Sequence, residues 1–250
     1  TENFHFPVII NSFFFHPQTE RDGIWLKGKK DDEDLEVTEN QNLLIGAMNL
    51  FQELLPKISL GKYFDLYNIC ETRVPSTNEK YFDESWYREF LQRPIRESIL
   101  DANLVELENE REGKKSIRDL SFPKKSYSSE VQQKIWKFTY DQHPNSVCKQ
   151  LHMEEWCNVS WEAWNKLGYA ELVNDVSQHE NIKALAEALH KKETNAIDWL
   201  NSLCEFILAE DSNLTLFENN AVTPNKNGEF RRKNELYTDK IKDKDLVVIL

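Results

Sequence analysis

The spacing of apolar residues changes at Glu39, and this change constrains the fold more than any other feature of the sequence. The pattern beyond it predicts a long amphipathic helix that ends near Pro56, because proline has no N–H to continue the helical hydrogen bonds. Its apolar residues recur at steps of three and four, as on one face of a helix: Leu43, Leu44, Ala47, Met48, Phe51, Leu54 and Leu55.

Short apolar runs separated by polar turns precede this helix. They cover residues 6–10, 13–15 and 23–26, and runs of this length bounded by turn residues are typical of β-strands. Residues 27–36 are polar and mostly acidic, which indicates a solvated loop. We therefore expect N-terminal strands before the helical region.

Helical spacing continues through the rest of the chain. A second long helix is predicted between about Glu84 and Asp101, with a break or a kink at Pro94. Further helices are predicted near residues 129–140, 159–167, 182–190 and 196–209.

One series of elements occurs twice: a helix, a strand, a glycine turn, a strand and an acidic residue before leucine. The first series reaches Leu120 with its turn at Gly113, and the second reaches Leu236 about 115 residues later. Asn227-Gly228 in the second series is typical of a type I′ turn, in which both central residues have positive φ. A weak internal repeat and a coincidence of common hairpins both explain the pattern.

These elements predict an α+β fold, with N-terminal β-strands followed by a mainly helical region that contains two helix–β-hairpin units. We divide the chain into three segments. Residues 1–60 form an N-terminal sheet and helix, residues 61–145 the first helix–hairpin unit, and residues 146–250 a helical region with the second unit.

Composition excludes several classes of function. A net charge of -12 argues against nucleic-acid binding, which needs a concentrated basic face. No apolar run approaches the roughly 18 residues of a membrane-spanning helix. Glycine occurs only 7 times, and the nearest match to a phosphate-binding loop, residues 23–30, has Lys30 where magnesium binding needs Ser or Thr. We interpret that stretch as a strand end and a solvated loop.

The cysteines and histidines do not form a recognised metal motif. Cys148, His152 and Cys157 lie within ten residues, but zinc needs a fourth ligand and usually paired short spacings. We therefore favour buried cysteines and assign no metal ligand. The 4 cysteines contain no CxxC pair, which is simplest to explain by free thiols in a reducing cytoplasm.

Two basic features are candidates for function. Arg21 lies in a polar turn between apolar runs, where it could neutralise phosphate at a neighbouring site, and an ordinary surface arginine is the alternative. Arg231, Arg232 and Lys233 follow the second hairpin turn and could bind an acidic protein partner. Charge that protects an exposed strand edge explains this triplet as well.

Two patches of the sequence resemble the region just after the ATPase domain of sacsin-like and other large GHKL proteins. The first is Phe6-Pro7-Val8-Ile9-Ile10-Asn11-Ser12-Phe13-Phe14, followed by Thr19-Glu20-Arg21-Asp22-Gly23-Ile24. The second is Pro224-Asn225-Lys226-Asn227-Gly228-Glu229-Phe230, followed by Glu235-Leu236-Tyr237, which is similar to a hairpin of the same proteins. The magnesium-binding asparagine, the Asp-x-Gly-x-Gly strand end and the glycine-rich lid of the GHKL site do not occur in this sequence.

The resemblance implies a non-catalytic middle segment of a cytoplasmic, chaperone-related ATPase. ATP and magnesium would bind the preceding ATPase domain of the same chain, and this segment would couple nucleotide state to protein partners. In the related ninety-kilodalton heat-shock chaperones a middle-segment arginine reaches the nucleotide, a role that the resemblance extends to Arg21. The alternatives are a free-standing hydrolase whose site combines distant carboxylates or Cys and His, and a protein-binding adaptor without a nucleotide connection.

Overall fold

A computed structural model of the protein describes residues 6–18, 23–28, 34–75, 80–109, 113–159, 164, 166–210 and 215–236. Its helices and short antiparallel strands confirm the predicted α+β class. The chain divides into two units, Thr1–Phe122 with Asn145–Asn165 and Pro123–Pro144 with Lys166–Leu250. These bounds differ from the three predicted segments, because residues 145–165 return to the first unit after a helix of the second.

The α-helices of the described residues are α1 (Leu35–Leu60), α2 (Glu84–Tyr87), α3 (Arg93–Asp101), α4 (Ser129–Gln142), α5 (Met153–Asn158), α6 (Tyr169–Ser177), α7 (Ile182–Ala188), α8 (Glu193–Glu210) and α9 (Thr215–Asn219). The strands form two antiparallel hairpins, β1 (Asn103–Glu106) with β2 (Lys114–Ser116), and β3 (Thr223–Pro224) with β4 (Phe230–Arg231). Short 3₁₀ helices cover Leu66–Cys70, Ile117–Asp119, Gln150–His152 and Lys233–Glu235.

Helix α1 continues past Pro56, where the sequence predicts its end. Two contacts from the first hairpin hold the final turn: the Ser59 hydroxyl donates to the Asn103 carbonyl at 2.6 Å, and Lys114 donates to the Gly61 carbonyl at 3.1 Å. Proline removes one helical N–H, and these tertiary contacts offset that loss. The helix predicted to end near Pro56 thus extends about one turn further, to Leu60.

The irregularity predicted at Pro94 takes the form of a π turn. Arg88–Gln92 is a π-helical turn between α2 and α3, and Pro94 follows it in the first turn of α3. Gln92, just before α3, has helical φ and ψ, so the helix continues through the π turn. A proline and a π turn are both places where a continuous helix bends.

The helix predicted over residues 159–167 is wrong within the described part of that range. Helix α5 ends at Asn158, and Val159 leaves the helical region with a ψ of 124°. Leu167 instead forms an isolated parallel bridge with Pro123. The Leu167 carbonyl accepts from the N–H of Lys124, a residue far away in the sequence, at 3.0 Å.

The predicted N-terminal strands are also corrected. Within residues 6–18 and 23–28 the structure contains no strand, and one isolated antiparallel bridge joins Pro17 to Ile24. The apolar runs do not form the inner face of a sheet, since Ile9 and Phe13 are 96% and 98% exposed.

Both predicted hairpins are confirmed, and both contain a glycine with positive φ, Gly113 at 74° and Gly228 at 78°. Asn227 does not have positive φ, so the second turn is not type I′. The Asn225 side chain accounts for the difference, because its Oδ1 accepts from the N–H groups of Asn227 and Glu229.

Each unit has its own apolar core. In the first unit the fully buried side chains come from several elements and include Leu26, Leu91, Ile99, Leu104, Ile117, Phe122 and Met153. In the second unit α4, α6, α7 and α8 enclose a cluster that includes Ile135, Leu172, Leu185, Leu203 and Phe230.

Candidate functional site

Arg21 lies outside the described residues, so its proposed role stays a prediction. The residues on either side of its turn are held together. The Gln18 N–H donates to the Gly23 carbonyl at 2.9 Å, and the bridge between Pro17 and Ile24 adjoins this bond.

The stretch that approximates a phosphate-binding loop is used for packing instead. Leu26 is 1% exposed, and its N–H donates to the Tyr81 carbonyl at 2.8 Å. A Cβ atom at Gly23 would lie 2.6 Å from the Tyr81 ring, so a neighbouring side chain fills the space beside this glycine. The N–H groups of Trp25 and Leu26 are both paired with backbone carbonyls, whereas a phosphate loop needs free backbone N–H groups around an open cradle.

An apolar groove lies between the N-terminal segment and α1, and we call it the N-terminal groove. Its volume is about 880 Å³, and it is lined by residues 10–16 together with Glu39, Asn42, Leu43, Gly46, Ala47 and Leu50. Phe13, Phe14 and Leu50 are 98%, 77% and 67% exposed around it. Contiguous exposed apolar surface of this kind marks an interaction site in a folded protein.

Asn40 attaches the N-terminal segment to α1. This buried side chain accepts from the His16 N–H at 2.8 Å and donates to the carbonyls of His16 and Trp25, each at 2.9 Å. The His16 ring lies 2.5 Å from a carboxylate oxygen of Glu39. These contacts position the aromatic residues just before His16 along the helix.

Asn40 belongs to no motif of the sequence, although its position in the helix carries a signal. Asn40 precedes Leu43 and Leu44 by three and four residues, so it lies on the apolar face of the predicted helix. A polar residue on a buried face needs hydrogen-bond partners, and here the partners come from the irregular N-terminal segment.

Comparison with known protein families, with curated proteins and with solved structures finds no match. Among the described helices, none has the combination of length and apolar character that crossing a membrane requires. Function is therefore inferred from the surface chemistry within each unit.

The basic triplet lies on and after β4, where all three side chains are exposed. Arg231 pairs with Glu229 at 2.7 Å, and Lys233 lies 3.7 Å from a carboxylate oxygen of Glu218. Within the described residues Arg232 forms no ion pair. Two of the three charges are thus partly neutralised within their own unit, and binding of an acidic partner stays a prediction.

Cys148 and Cys157 are fully buried, and His152 lies beside Asp65 rather than in a metal cluster. Burial, followed by the nearby Glu154, raises the pKa of Cys157 to about 12. Burial also raises the pKa of Cys148, and the neighbouring Cys157 adds to the effect. In the part of the chain that the structure describes, no three His, Cys, Asp or Glu side chains form a group that could hold a metal ion. Protonated, buried thiols are poor nucleophiles and poor metal ligands.

Proposed function

We propose that this chain is a non-catalytic middle segment of a sacsin-like, chaperone-related ATPase that couples nucleotide state to the binding of protein partners. ATP and magnesium would bind the preceding ATPase domain of the same polypeptide. The observation that carries the proposal is the N-terminal groove, because its exposed aromatic residues belong to the stretch that resembles the region after a GHKL ATPase domain.

The ATPase domain is the occupant that we propose for the groove. Phe13 is almost fully exposed and Phe14 is largely exposed in this unit, which is costly unless another surface covers them. Asn40 and Glu39 hold the adjoining His16 against α1, so a force on the aromatic residues would reach a helix of 26 residues. A long helix attached in this way would link a nucleotide site mechanically to distant surfaces.

We further propose a cytoplasmic location. All four cysteines are free, and three of them are buried. A reducing compartment maintains thiols in this state, whereas secreted proteins of this size commonly form disulfides.

The test uses the full-length polypeptide, with the ATPase domain and this segment together. We expect Phe13→Ser with Phe14→Ser, and separately Arg21→Ala, to lower ATP turnover by about tenfold or more, because the segment would no longer complete the nucleotide site. Leu60→Ser is the matched control, since Leu60 is 90% exposed and does not line the groove. Its turnover should equal that of the wild type.

Two outcomes would overturn the proposal. The first is hydrolysis of ATP by the 250-residue chain alone, which would favour the free-standing hydrolase. The second is unchanged turnover in both the aromatic and the Arg21→Ala variants, which would favour an adaptor without a nucleotide connection.

A further inference from the structure

A second surface of the first unit lies away from the N-terminal groove, and we call it the acidic cleft. It has a volume of about 650 Å³ and lies where β1 ends, next to the 3₁₀ helix Gln150–His152. Its lining consists of Phe64, Glu106, Glu108, Lys149, Gln150, Leu151 and His152.

The backbone explains why two carboxylates share this cleft. Leu107 forms an antiparallel bridge with Cys148, and the Lys149 N–H donates to the Glu106 carbonyl at 2.9 Å. The extended chain alternates its side chains, so Val105 and Leu107 are buried while Glu106 and Glu108 line the cleft. The Gln150 N–H then donates to a Glu108 carboxylate oxygen at 2.9 Å, which fixes that side chain.

Negative charge in the cleft exceeds positive charge. Lys149 Nζ lies 3.6 Å from Glu106 Oε2, beyond a good hydrogen bond, and this buried oxygen has no hydrogen-bond partner within the described residues. Among the residues that the structure describes, none forms an ion pair with Glu108. Asp65 adds a third carboxylate next to His152, at 3.8 Å from its Nε2. A cation entering the cleft would therefore meet an incompletely compensated negative field.

Exposed apolar side chains border these carboxylates. Phe64 is 73% exposed and Leu151 is 80% exposed, and both line the cleft. Tyr63, on the adjoining smaller cavity that shares Glu106 and His152, is 57% exposed. A small amine would neutralise the charge but would leave these apolar surfaces in water.

A basic side chain within a peptide fits both features. The aliphatic stem of arginine or lysine packs on apolar side chains while its charged head reaches a carboxylate, and arginine also stacks on aromatic rings. We propose that the acidic cleft binds a segment of a partner protein in which an arginine or lysine stands between apolar residues. Glu108 binds the charged head, and Phe64 and Leu151 contact the flanking apolar residues.

The test measures fluorescence anisotropy of a short labelled peptide with one arginine between two leucines, titrated with the 250-residue chain. A second peptide carries uncharged citrulline in place of arginine. We expect the arginine peptide to bind at least about tenfold more tightly, because hydrogen bonds to charged groups are the stronger ones. Glu108→Gln should remove most of this difference, and added salt should reduce it in the wild type.

Glu53→Gln is the matched control, since Glu53 is an exposed carboxylate on α1 that does not line the cleft. It should bind both peptides as the wild type does. Leu151→Ser should weaken both peptides, and because Leu151 is 80% exposed this variant keeps the test valid if Glu108→Gln unfolds. Equal affinity for the two peptides, absence of binding, or an equal loss in Glu53→Gln would overturn the proposal.

Discussion

The side-chain amide of Asn40 bonds both backbone polar groups of His16, accepting from its N–H and donating to its carbonyl. A neighbouring antiparallel β-strand would form the same pair of bonds. A helix side chain thus replaces a strand, and the N-terminal segment is attached to α1 as an irregular chain. This replacement explains how apolar runs with strand character stay outside a sheet.

Replacing Asn40 with alanine should destabilise the first unit by roughly 2–4 kcal/mol, because three backbone groups lose their buried partner at once. Asn42→Ala removes an exposed amide from the same helix and should change stability by less than about 0.5 kcal/mol. Urea unfolding followed by circular dichroism measures both variants. Equal losses would show that the Asn40 hydrogen bonds contribute little.

The two hairpin glycines should respond differently to alanine. Both have positive φ, which costs alanine about 1–2 kcal/mol. A Cβ atom at Gly228 would also lie 2.8 Å from Ile182 Cγ2, whereas one at Gly113 would have no neighbour within 4 Å.

We therefore expect Gly113→Ala to lose only the backbone contribution and Gly228→Ala to lose about 1–3 kcal/mol more, because Ile182 belongs to the packed core. Thermal unfolding of each variant, compared with the wild type, measures the difference. A smaller effect at Gly228 would mean that Ile182 moves aside without loss of packing.

The thiols should react slowly in the folded protein. Burial, followed by the charge of Glu205, raises the pKa of Cys204 to about 11, and burial is also the main cause of the raised pKa of Cys157. At about pH 8 we expect a thiol-specific reagent to label these cysteines roughly 100-fold more slowly than in the unfolded chain, because only the thiolate reacts.

Unfolding in guanidinium should then release four reactive thiols. Cys204→Ser should remove the fastest part of the native reaction, since Cys204 is half-buried and the other three cysteines are buried. A native cysteine that reacts at the unfolded rate would contradict this expectation. One stoichiometric zinc ion in the purified protein would contradict the assignment of Cys148 and Cys157 as buried thiols.

His179 should make the second unit less stable in mild acid. Burial, together with the nearby His143, lowers the pKa of His179 below its usual 6.5, so the unfolded chain takes up the proton first. Stability is therefore fully present above about pH 6.5 and falls as the pH drops toward the folded pKa. Burial raises the pKa of Asp175, so the folded chain takes up that proton before the unfolded chain does. This carboxyl therefore adds stability on acidification, but nearer the usual pKa range of an aspartate.

The measurement is urea unfolding between about pH 7 and pH 5.5, where the histidine effect dominates. His179→Asn should lose less stability over this interval than the wild type. His190 is exposed and has a left-handed backbone conformation that asparagine also adopts. His190→Asn should therefore lose as much stability over this interval as the wild type does. An unchanged slope in His179→Asn would assign the acid sensitivity to another group.

The two occurrences of the repeated series agree in their local elements but not in their long-range pairing. In both cases the hairpin is followed by a 3₁₀ helix, Ile117–Asp119 and Lys233–Glu235, and then by leucine. The stretch of chain that forms an extra β-bridge with each hairpin differs, however. Cys148 pairs with Leu107 beyond β1, whereas Asn181 pairs with Glu229 before β4. The order of the local elements is the same in both cases, but the added bridge partner is not, and the internal repeat stays a prediction.

The acidic cleft likewise combines a feature that the local sequence indicates with one that it does not. Apolar and acidic residues alternate from Val105 to Glu108, which puts Glu106 and Glu108 on one face of an extended chain. Nothing in that stretch indicates that Lys149 and His152, more than forty residues later, complete the surface.

The sequence by itself determined the order and the type of most elements, because helical spacing and glycine turns are properties of neighbouring residues. Tertiary structure alone decided that α1 continues through Pro56, that Asn40 takes the place of a strand beside His16, and that residues 145–165 return to the first unit. Each of these outcomes depends on hydrogen bonds and packing between residues far apart in the chain. The spacing of neighbouring residues does not predict such contacts.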